Sequence, residues 1–322
     1  MLPPGDGNPF LHATVGDMLA TQARRVGDRE AIVAADRRIT YVGLHDAARR
    51  VARGLLALGV RKGDKVALWM PNRPEWFATQ YGCALVGAVV VALNTRYKAH
   101  ELRYILRQSD ATTLVCADHA GPVDYLETLA EVLPDLAASV PGELDVEEFP
   151  MLRRVIVHAD DPYPGCLAWR DVQDAGDEPA GAALDAARDA VTPDDPFTIL
   201  YTSGTTSFPK GAIISHRNCL PHAWWCGEVL RMTDADRVLH ALPLSGTWGG
   251  VCIPLATFTH GAALVLMETF EPGVALRLME DERITVWNGV DAMAVPMLEH
   301  ADLARRDRSR LRTGGFAATG GG

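Results

Sequence analysis

The stretch with the clearest chemistry, residues 201–211, reads Tyr-Thr-Ser-Gly-Thr-Thr-Ser-Phe-Pro-Lys-Gly. Its small side chains leave backbone N–H groups accessible, and its hydroxyls and single lysine add donors and a positive charge. Such a segment suits a polyphosphate, because N–H groups and hydroxyls donate to phosphate oxygens while the lysine balances their charge. The run before it, residues 195–201, is predicted to be a buried strand. The loop therefore follows a strand end, where open α/β sheets place their ligands.

Two other interpretations of this loop compete with phosphate binding of this kind. A Walker-type phosphate loop requires Gly-x-x-x-x-Gly-Lys-Ser/Thr. Here five residues separate Gly204 from Lys210, and Gly211 follows the lysine where serine or threonine is required, so the Walker interpretation fails. The remaining interpretation is an ordinary surface loop rich in serine, threonine and glycine, which the rest of the chain disfavours.

The segment resembles the phosphate-binding signature of the acyl-adenylate-forming enzymes, which include acyl-CoA synthetases, peptide-synthetase adenylation domains and luciferases. The common form is Tyr-Thr-Ser-Gly-Thr-Thr-Gly-x-Pro-Lys-Gly, and this chain departs from it at Ser207, a small residue that the looser pattern admits. The resemblance implies catalytic roles for Lys210 and Thr205, which would hold the departing phosphates, and a Mg²⁺ ligand in Thr202. The ATP-binding residues that it implies in the loop are Thr202, Ser203, Gly204, Thr205, Thr206, Ser207 and Lys210.

The reaction that this resemblance implies is the activation of a carboxylic acid. The carboxylate attacks the α-phosphate of ATP, Mg²⁺-pyrophosphate leaves, and the thiol of CoA then displaces AMP to give a thioester. The likeness covers nearly the whole chain, since residues 57–66, 70–77, 87–94 and 215–218 also look like parts of the family's amino-terminal domain. Each of these stretches is a weaker motif than the loop, and ordinary α/β packing explains most of them.

A departure from the family pattern follows the strand predicted at residues 238–244. The family commonly has Leu-Pro-Leu-Phe-His here, and its aromatic ring and histidine line the passage where the acyl group meets the thiol. In this chain Leu-Pro-Leu is followed by Ser245 and Gly246. Either Trp248 supplies the aromatic wall or the passage is wider and holds a bulkier acid. A surface position for Trp248 is the third alternative.

A second departure lies at residues 289–293, Gly-Val-Asp-Ala-Met, where the family commonly has Val-Pro-Thr-Met at the acid pocket. Asp291 replaces the proline and is predicted to cap a helix rather than to contact the acid, because aspartate favours N-cap positions. The apolar side chains nearby could line the pocket or belong to the core. The candidate acid-binding residues are Trp248, Gly249, Trp287, Val290 and Met293.

These stretches predict an apolar acid as the substrate. They contain no cation, and Asp291 is their one acidic residue. Each buried methylene of a substrate is worth about 0.8 kcal/mol. The sequence therefore predicts a medium- to long-chain fatty acid, or a bulky ring-bearing acid, rather than acetate or an amino acid.

The last residues, 316–322, resemble the strand and glycine-rich turn where the family's backbone meets adenine, with Gly320, Gly321 and Gly322 as the implied nucleotide contacts. The family's later Mg²⁺-binding, ribose-binding and catalytic-lysine segments lie beyond this point. We therefore expect a member truncated within its amino-terminal domain, without the carboxy-terminal domain and inactive alone. Two alternatives stay open: a non-catalytic nucleotide-binding or interaction module, and an adenylation domain that loads a carrier protein instead of CoA.

Short apolar strands that alternate with helices must position this chemistry, and they predict an α/β fold. One helix is predicted to begin at Thr14, a cap-like residue with Asp17 three residues later, and others are predicted at residues 74–86 and 248–258. We expect layered α/β subdomains with parallel-rich sheets flanked by helices. The predicted division places a first subdomain at residues 1–185 and a second, which carries the phosphate loop, at residues 186–322. Between them, residues 174–193 are predicted to form a surface connection, because they are rich in turn-forming and charged residues.

Composition narrows the class of protein. A net charge of −10 argues against a nucleic-acid partner, because phosphate neutralisation needs a basic face. The longest apolar run is too short to cross a bilayer, although peripheral membrane contact stays open. The six cysteines lack metal-binding spacing and are predicted to be reduced, which favours a cytoplasmic location. The expected partners are the acid, ATP with Mg²⁺, and CoA, and a homodimer is left open.

Overall fold

The computed structural model of the chain describes residues 7–35, 37–175, 181–202 and 209–318. Strands and helices alternate along most of these residues, as the sequence predicts. The strands are β1 (Glu30–Ala34), β2 (Arg37–Thr40), β3 (Lys65–Trp69), β4 (Val89–Ala92), β5 (Ala111–Ala117), β6 (His119–Ala120), β7 (Val123–Asp124), β8 (Arg154–His158), β9 (Leu167–Ala168), β10 (Pro196–Thr202), β11 (Lys210–Ser215), β12 (Arg237–His240), β13 (Ala263–Leu266), β14 (Val286–Trp287), β15 (Gly289–Val290) and β16 (Phe316–Ala317). The α-helices are α1 (Val15–Val26), α2 (Tyr41–Ala57), α3 (Pro74–Val86), α4 (Ala99–Gln108), α5 (Tyr125–Val132), α6 (Trp169–Ala175), α7 (Gly181–Asp189), α8 (His216–Val229), α9 (Ile253–His260), α10 (Pro272–Asp281) and α11 (Asp291–Leu298).

Two large sheets organise the described residues. The first has the strand order β11-β10-β4-β3-β5-β8-β9 and is parallel except for β11, which pairs antiparallel with β10. The second has the order β14-β12-β13-β1-β2 and is parallel except for the β1–β2 hairpin. Because parallel strands need crossover connections, helices lie between most successive parallel strands, and β8 and β9 are joined by residues 159–166 without a helix. The predicted α/β class with parallel-rich sheets is confirmed.

Strands from the two halves of the chain are exchanged between the sheets. The hairpin at residues 30–40 joins the sheet built from residues 237–287, and β10 with β11 joins the sheet built from residues 65–168. The predicted boundary between residues 185 and 186 therefore does not separate the two sheets. Pairing between strands far apart in sequence is set by packing across the core, which local patterns do not reveal.

The helix ends follow the local chemistry of the sequence. Thr14 caps α1 as predicted: its hydroxyl accepts from the backbone N–H of Asp17 at 3.1 Å, and the Asp17 carboxylate accepts from the Thr14 N–H at 3.0 Å. Helix α3 begins at Pro74 and ends before Gly87, which has a φ of 72° in the left-handed region that glycine adopts without strain. These ends match the predicted helix at residues 74–86.

Helices from both halves of the chain pack together in one core. The ring of Phe258 on α9 meets the rings of Tyr41, Phe77 and Tyr81 edge-on, with centroids 6.1, 5.6 and 5.9 Å apart. The Tyr41 hydroxyl also donates to the carbonyl of Ala262 at 2.6 Å. Edge-to-face pairs of this kind add to the stabilisation that burial provides. They hold α2, α3 and α9, and with them the two sheets, in fixed relation.

Three local predictions differ from the structure. Residues 181–189, predicted as part of a surface connection, form α7 and bury Leu184 in the core. Asp291 is the first residue of α11, whose N-cap is Val290, so the predicted capping role is wrong. The helix predicted from residue 248 begins as a π-turn at Thr247–Cys252 and continues as α9. The π-turn has no simple periodicity, because one extra residue per turn shifts the pattern.

Candidate active site at the carboxyl ends of the strands

The loop predicted to bind phosphate connects β10 to β11. Tyr201 pairs with Gly211 and Thr202 pairs with Lys210, so both ends of the loop meet at the last residue pair of an antiparallel ladder. Because β10 runs parallel to β4, this end of the ladder lies at the carboxyl edge of the seven-stranded sheet. Thr202 and Lys210 are exposed there. The predicted residues Ser203, Gly204, Thr205, Thr206 and Ser207 lie outside the described residues.

Helix α4 fastens both ends of the loop. The Tyr201 hydroxyl donates to the side-chain oxygen of Gln108, and the Tyr104 hydroxyl donates to the carbonyl of Pro209 at 3.2 Å. Burial, with a smaller contribution from Tyr104 and other nearby groups, raises the pKa of Tyr201 to about 12, so the phenol remains a donor at neutral pH. Gly211 leaves room for this ring, since a Cβ there would lie 3.2 Å from the Tyr201 ring.

A cavity of about 350 Å³ opens at the carboxyl end of β10, where Tyr201 contributes to its lining. Residues from both sheets line it, and each follows or ends a strand, as expected of ligand sites in open α/β sheets. Its lining combines an amide and two phenols with apolar side chains and an indole ring. The lining residues are Asn94, Tyr97, Tyr201, Leu242, Pro243, Ser245, Gly246, Thr247, Trp248, Gly249 and Val290.

The structure brings three of the five predicted acid-binding residues to this cavity, namely Trp248, Gly249 and Val290. The other two, Trp287 and Met293, pack in the core rather than along its lining. Trp287 is buried and lies edge-on to Phe316 with ring centroids 4.9 Å apart, and Met293 is half-buried against both core clusters. The indole N–H of Trp287 has no hydrogen-bond partner within the described parts of the chain.

Sequence reasoning missed Asn94 and Tyr97 as cavity residues. Both follow β4, the strand next to β10, so the topology brings them to the predicted loop. The side-chain oxygen of Asn94 accepts from the N–H of Arg96 at 3.0 Å, so this bond does not use the two donor hydrogens of its amide group. The apolar run before Asn94 indicates a strand, after which a site residue could have been expected. Only the strand order shows that this strand is adjacent to β10.

Ser245 and Gly246 line the cavity, so the missing aromatic ring and histidine leave open space at the position that the sequence comparison indicates. Trp248 reaches the same cavity from the π-turn at Thr247–Cys252. The prediction that Trp248 forms an aromatic wall agrees with this placement, and a wholly exposed position does not, since the residue is partly buried. That the passage is also wider than the family's stays a prediction of the sequence.

β16, the last described strand, precedes the predicted adenine contacts and lies beside β15, which contributes Val290 to the cavity. β16 pairs with β15, and the N–H of Gly315 donates to the side chain of Asn288 at 2.8 Å. The guanidinium of Arg312 donates to both carboxylate oxygens of the buried Asp236, at 3.0 and 2.7 Å, and this pairing contributes to a lowered pKa of Asp236 although burial opposes it. The predicted nucleotide contacts Gly320, Gly321 and Gly322 lie outside the described residues.

A second cavity, of about 430 Å³, lies between α1 and α9 and is lined in part by Arg25, Asp234 and His260. It contains none of the predicted site residues and no strand end opens into it. Arg25 already donates to the carbonyl of His260 at 2.8 Å and to Gln22 at 2.8 Å. Structural hydrogen bonds between the two helices therefore account for its polar groups.

Two findings bear on metals and membranes. Among the described residues, no cluster of three or more histidine, cysteine, aspartate or glutamate side chains could hold a metal ion. The Thr202 hydroxyl, which is exposed beside Lys210, is an oxygen ligand of the kind Mg²⁺ accepts when substrate phosphates complete its shell. Within the same described parts, no helix has the length and apolar character needed to span a membrane. All six cysteines are free thiols, as predicted.

The sequence is similar to known proteins along almost its whole length. The model of the AMP-binding enzyme family matches residues 19–322. YngI of Bacillus subtilis (strain 168) is 36% identical over 312 residues, which make up 96% of this chain and 57% of YngI. The mitochondrial medium-chain acyl-CoA ligase of Mus musculus is 32% identical over 318 residues, 96% of this chain and 52% of the relative. The chain thus spans about half the length of the curated relatives it matches.

Solved structures agree with the sequence comparison. The ATP-bound MatB of Rhodopseudomonas palustris superposes with a TM-score of 0.73 at 26% identity, over 94% of this chain and 54% of MatB. Because the family match covers most of the residues, from before the first sheet to the last strand, this chain belongs to the family of AMP-binding enzymes.

Proposed function

We propose that this chain is the ATP- and acid-binding part of a ligase that joins a carboxylic acid to CoA through an acyl-adenylate. The observation that carries this proposal is the juxtaposition of a phosphate-type loop with a cavity that has an apolar wall, both at the carboxyl edge of the strands. Membership of the AMP-binding enzyme family and the names of acyl-CoA ligases among the relatives support it.

In the first step, a carboxylate oxygen of the acid attacks the α-phosphorus of ATP. The bond between the α-phosphorus and the oxygen that bridges to the β-phosphorus breaks, and pyrophosphate leaves with the electron pair. The protein has little covalent chemistry to supply, so its contribution is positioning and charge stabilisation. In the second step, the sulfur of CoA attacks the acyl carbonyl, and AMP leaves to give the thioester.

Lys210 and the loop before it would bind the departing β- and γ-phosphates. Lys210 begins β11 and is held in register by its pairing with Thr202, so its charge lies at the mouth of the loop. The Thr202 hydroxyl would be one ligand of Mg²⁺, which balances phosphate charge when it is bound. Tyr201 and Pro209, which flank residues 203–208, are held by Gln108 and Tyr104 of α4, and fixed flanks of this kind would favour charge stabilisation at little reorganisation cost.

The acid would lie along the apolar wall of the cavity. Trp248, Val290, Leu242 and Pro243 supply that wall. Each methylene that leaves water for such a surface is worth about 0.8 kcal/mol, which favours chains longer than acetate. We infer a medium- to long-chain fatty acid or a bulky ring-bearing acid as the substrate class. The medium-chain name of the mouse relative supports this inference.

The CoA acceptor and the cytoplasmic location belong to the same proposal. The names of the relatives favour CoA over a carrier protein, and assays with free CoA and with a loaded carrier protein distinguish the two acceptors. The mouse relative is mitochondrial by name, so fractionation of cells that express this protein is the measurement that decides its location.

The function is tested by the exchange of Lys210 for alanine. The assay uses a protein that contains these residues and is as long as the relatives. In it, Lys210→Ala should reduce acid-dependent pyrophosphate release by about a hundredfold, because the substitution removes the positive charge that would stabilise the departing phosphates. Lys98→Ala, which changes an exposed lysine at the start of α4, serves as the matched control and should leave the rate unchanged.

Calorimetry with ATP on residues 1–322 alone complements the rate measurement. The wild-type chain should bind ATP and Lys210→Ala should bind it more weakly. Pyrophosphate release that is unaffected by Lys210→Ala would remove the role assigned to the loop. Release that requires no acid would contradict acid activation altogether.

A further inference from the structure

A single buried amide joins the carboxyl ends of strands from both sheets. Asn72 lies three residues after β3 and is only 7% exposed. Its Nδ2 donates to the carbonyl of Leu242 at 3.0 Å and to the carbonyl of Met267 at 3.1 Å. Its Oδ1 accepts from the N–H of Leu244 at 3.1 Å. The amide therefore uses both donor hydrogens and one acceptor site on backbone groups that burial would otherwise leave unpaired.

The partners of Asn72 belong to the other sheet. β3 is a central strand of the seven-stranded sheet, whereas Leu242 and Leu244 follow β12 and Met267 follows β13 in the five-stranded sheet. Leu242 lines the cavity itself. The side chain of Asn72 thus determines where the segment at residues 242–244 lies relative to the sheet that carries the phosphate loop.

The opposite side of this segment carries the π-turn that bears Trp248. A Cβ on Gly249 would lie 2.3 Å from the carbonyl oxygen of Pro243, and a Cβ on Gly250 would lie 1.7 Å from that of Leu244. The N–H of Gly246 donates to the Pro243 carbonyl at 3.1 Å. Because the turn and the segment are in backbone contact, a displacement of the segment must displace the turn as well.

We propose that Asn72 is a positioning residue that sets the location of the Trp248 ring in the cavity and, through it, the size of the acids that are accepted. The series of contacts runs from the Asn72 amide to the backbone at residues 242–244, from there to Gly249 and Gly250, and then to Trp248. The effect on acid size rests on the proposed function, whereas the effect on the position of Trp248 does not.

The position of Trp248 can be measured without any ligand. The seven tryptophans are labelled with 5-fluorotryptophan, and Trp248→Phe identifies the ¹⁹F resonance of Trp248. Asn72→Asp keeps the shape of the side chain and the acceptor for Leu244 but replaces both donors with an oxygen. We expect the Trp248 resonance to shift or broaden in this variant. Asn72→Ala removes the partner of all three backbone groups. The Trp248 resonance of this variant tests the proposal if the aspartate variant does not fold.

Gln22→Glu is the matched control. Gln22 is 2% exposed, and its amide donates to the carbonyl of Thr259 at 2.5 Å between α1 and α9, so this exchange makes the same chemical change away from the cavity. It should leave the Trp248 resonance in place. A Trp248 resonance that is unchanged by the Asn72 variants, or equally changed by Gln22→Glu, would overturn the positioning role.

A double-mutant cycle of Asn72→Ala and Trp248→Ala tests acid selectivity. It uses a protein that contains these residues and is as long as the relatives. The ratio of kcat/KM for octanoate to kcat/KM for butyrate should fall about tenfold in Asn72→Ala. A displacement of about 1 Å in the groups that position a substrate can lower the rate by up to about a hundredfold. The KM for ATP should stay within about twofold. In a Trp248→Ala background, Asn72→Ala should change the ratio no further, because the residue through which it acts is absent.

The outcomes of the two experiments separate the inferences. An undiminished effect of Asn72→Ala in the Trp248→Ala background would show that Asn72 does not act through Trp248 and would overturn the proposal. A wild-type protein that activates no acid would refute the proposed function, while the fluorine spectra would still decide whether Asn72 positions Trp248.

Discussion

At the scale of single residues, the lining of the cavity combines polar and apolar side chains. Asn94, Tyr97 and Tyr201 are the polar ones that can donate, and Trp248 and Val290 are among the apolar ones. Donors suit phosphate or carboxylate oxygens, and apolar side chains suit a hydrocarbon chain. Ser245 and Gly246 also line the cavity and contribute little volume. The size of the acid should therefore depend on these two small residues.

Ser245→Phe combined with Gly246→His should shift the preference toward smaller acids, because two large side chains would fill space in a cavity of about 350 Å³. We expect turnover in the wild-type protein to rise from acetate and propionate to longer acids. The double variant should lose activity on the long acids by about tenfold or more, since each methylene excluded from an apolar surface forfeits about 0.8 kcal/mol.

The measurement is kcat/KM over a series of straight-chain acids, with the KM for ATP as the internal control. An optimum at acetate in the wild-type protein would contradict the inferred substrate class. A preference for long acids that survives in the double variant would show that Ser245 and Gly246 do not limit the passage.

At the scale of elements, the π-turn at Thr247–Cys252 depends on its glycines. Gly250 lies so close to Leu244 that a Cβ would be 1.7 Å from the carbonyl oxygen, and its own N–H donates to the Gly246 carbonyl at 2.7 Å. No side chain fits without backbone movement. π-turns inside helices occur frequently at functional sites, and this one carries Trp248 to the cavity.

Gly250→Ala should therefore lower the free energy of unfolding by about 1–3 kcal/mol, the range for overpacked interiors. The control lies in the same segment: Gly246 has a φ of −95°, and a Cβ there would approach nothing closer than 3.5 Å. Gly246→Ala should leave stability within about 0.5 kcal/mol of the wild type. Urea unfolding monitored by circular dichroism measures both variants. Equal stability of the two alanine variants would contradict the close approach at Gly250.

At the scale of the whole molecule, two buried histidines lie where distant parts of the chain meet. The Nδ1 of His216, at the start of α8, accepts from the N–H of Val15 at 3.2 Å and so joins α8 to α1. His240 ends β12 at the carboxyl edge and is wholly buried. Burial lowers the pKa of each from the ordinary 6.5 to about 4, because the cation cannot be solvated.

The protein should consequently lose stability in mild acid. Both pKa values are lower in the folded than in the unfolded chain, so the stability that depends on neutral imidazoles is complete above about pH 6.5 and declines toward pH 4. Each histidine contributes on the order of 3 kcal/mol across this window. His45 adds to the effect, because burial lowers its pKa as well. The free energy of unfolding, measured in urea at several pH values, should fall between pH 6 and pH 5 with a slope of at least about two protons.

His216→Gln should reduce that slope by about one proton, since glutamine does not titrate and can still accept from the N–H of Val15. His100→Gln is the control, because the His100 side chain is 81% exposed, and it should leave the slope unchanged. A stability that is independent of pH between 7 and 5 would contradict this account of the two histidines.

Local sequence chemistry determined the elements of this protein and the nature of its loop. The capping pair of Thr14 and Asp17 predicted the start of α1, because helix ends depend on residues within one turn. The alternation of apolar strands with helices predicted α3, and Pro74 and Gly87 mark its ends. The small and hydroxylated residues at 201–211 predicted a phosphate loop for the same reason, since the donors lie within the loop itself. Its role in binding stays a prediction.

Tertiary structure decided which of these residues share a site. Trp248, Gly249 and Val290 line the cavity, whereas Trp287 and Met293, equally apolar and near in sequence, pack in the core. Asn94 joins the site only because β4 lies beside β10, and Asn72 bonds to Leu242 only because the carboxyl ends of β3 and β12, in different sheets, meet in the fold. Hydrophobic patterns show that a side chain leaves water, but not which of several apolar surroundings it enters, because that choice depends on packing between segments far apart in the chain.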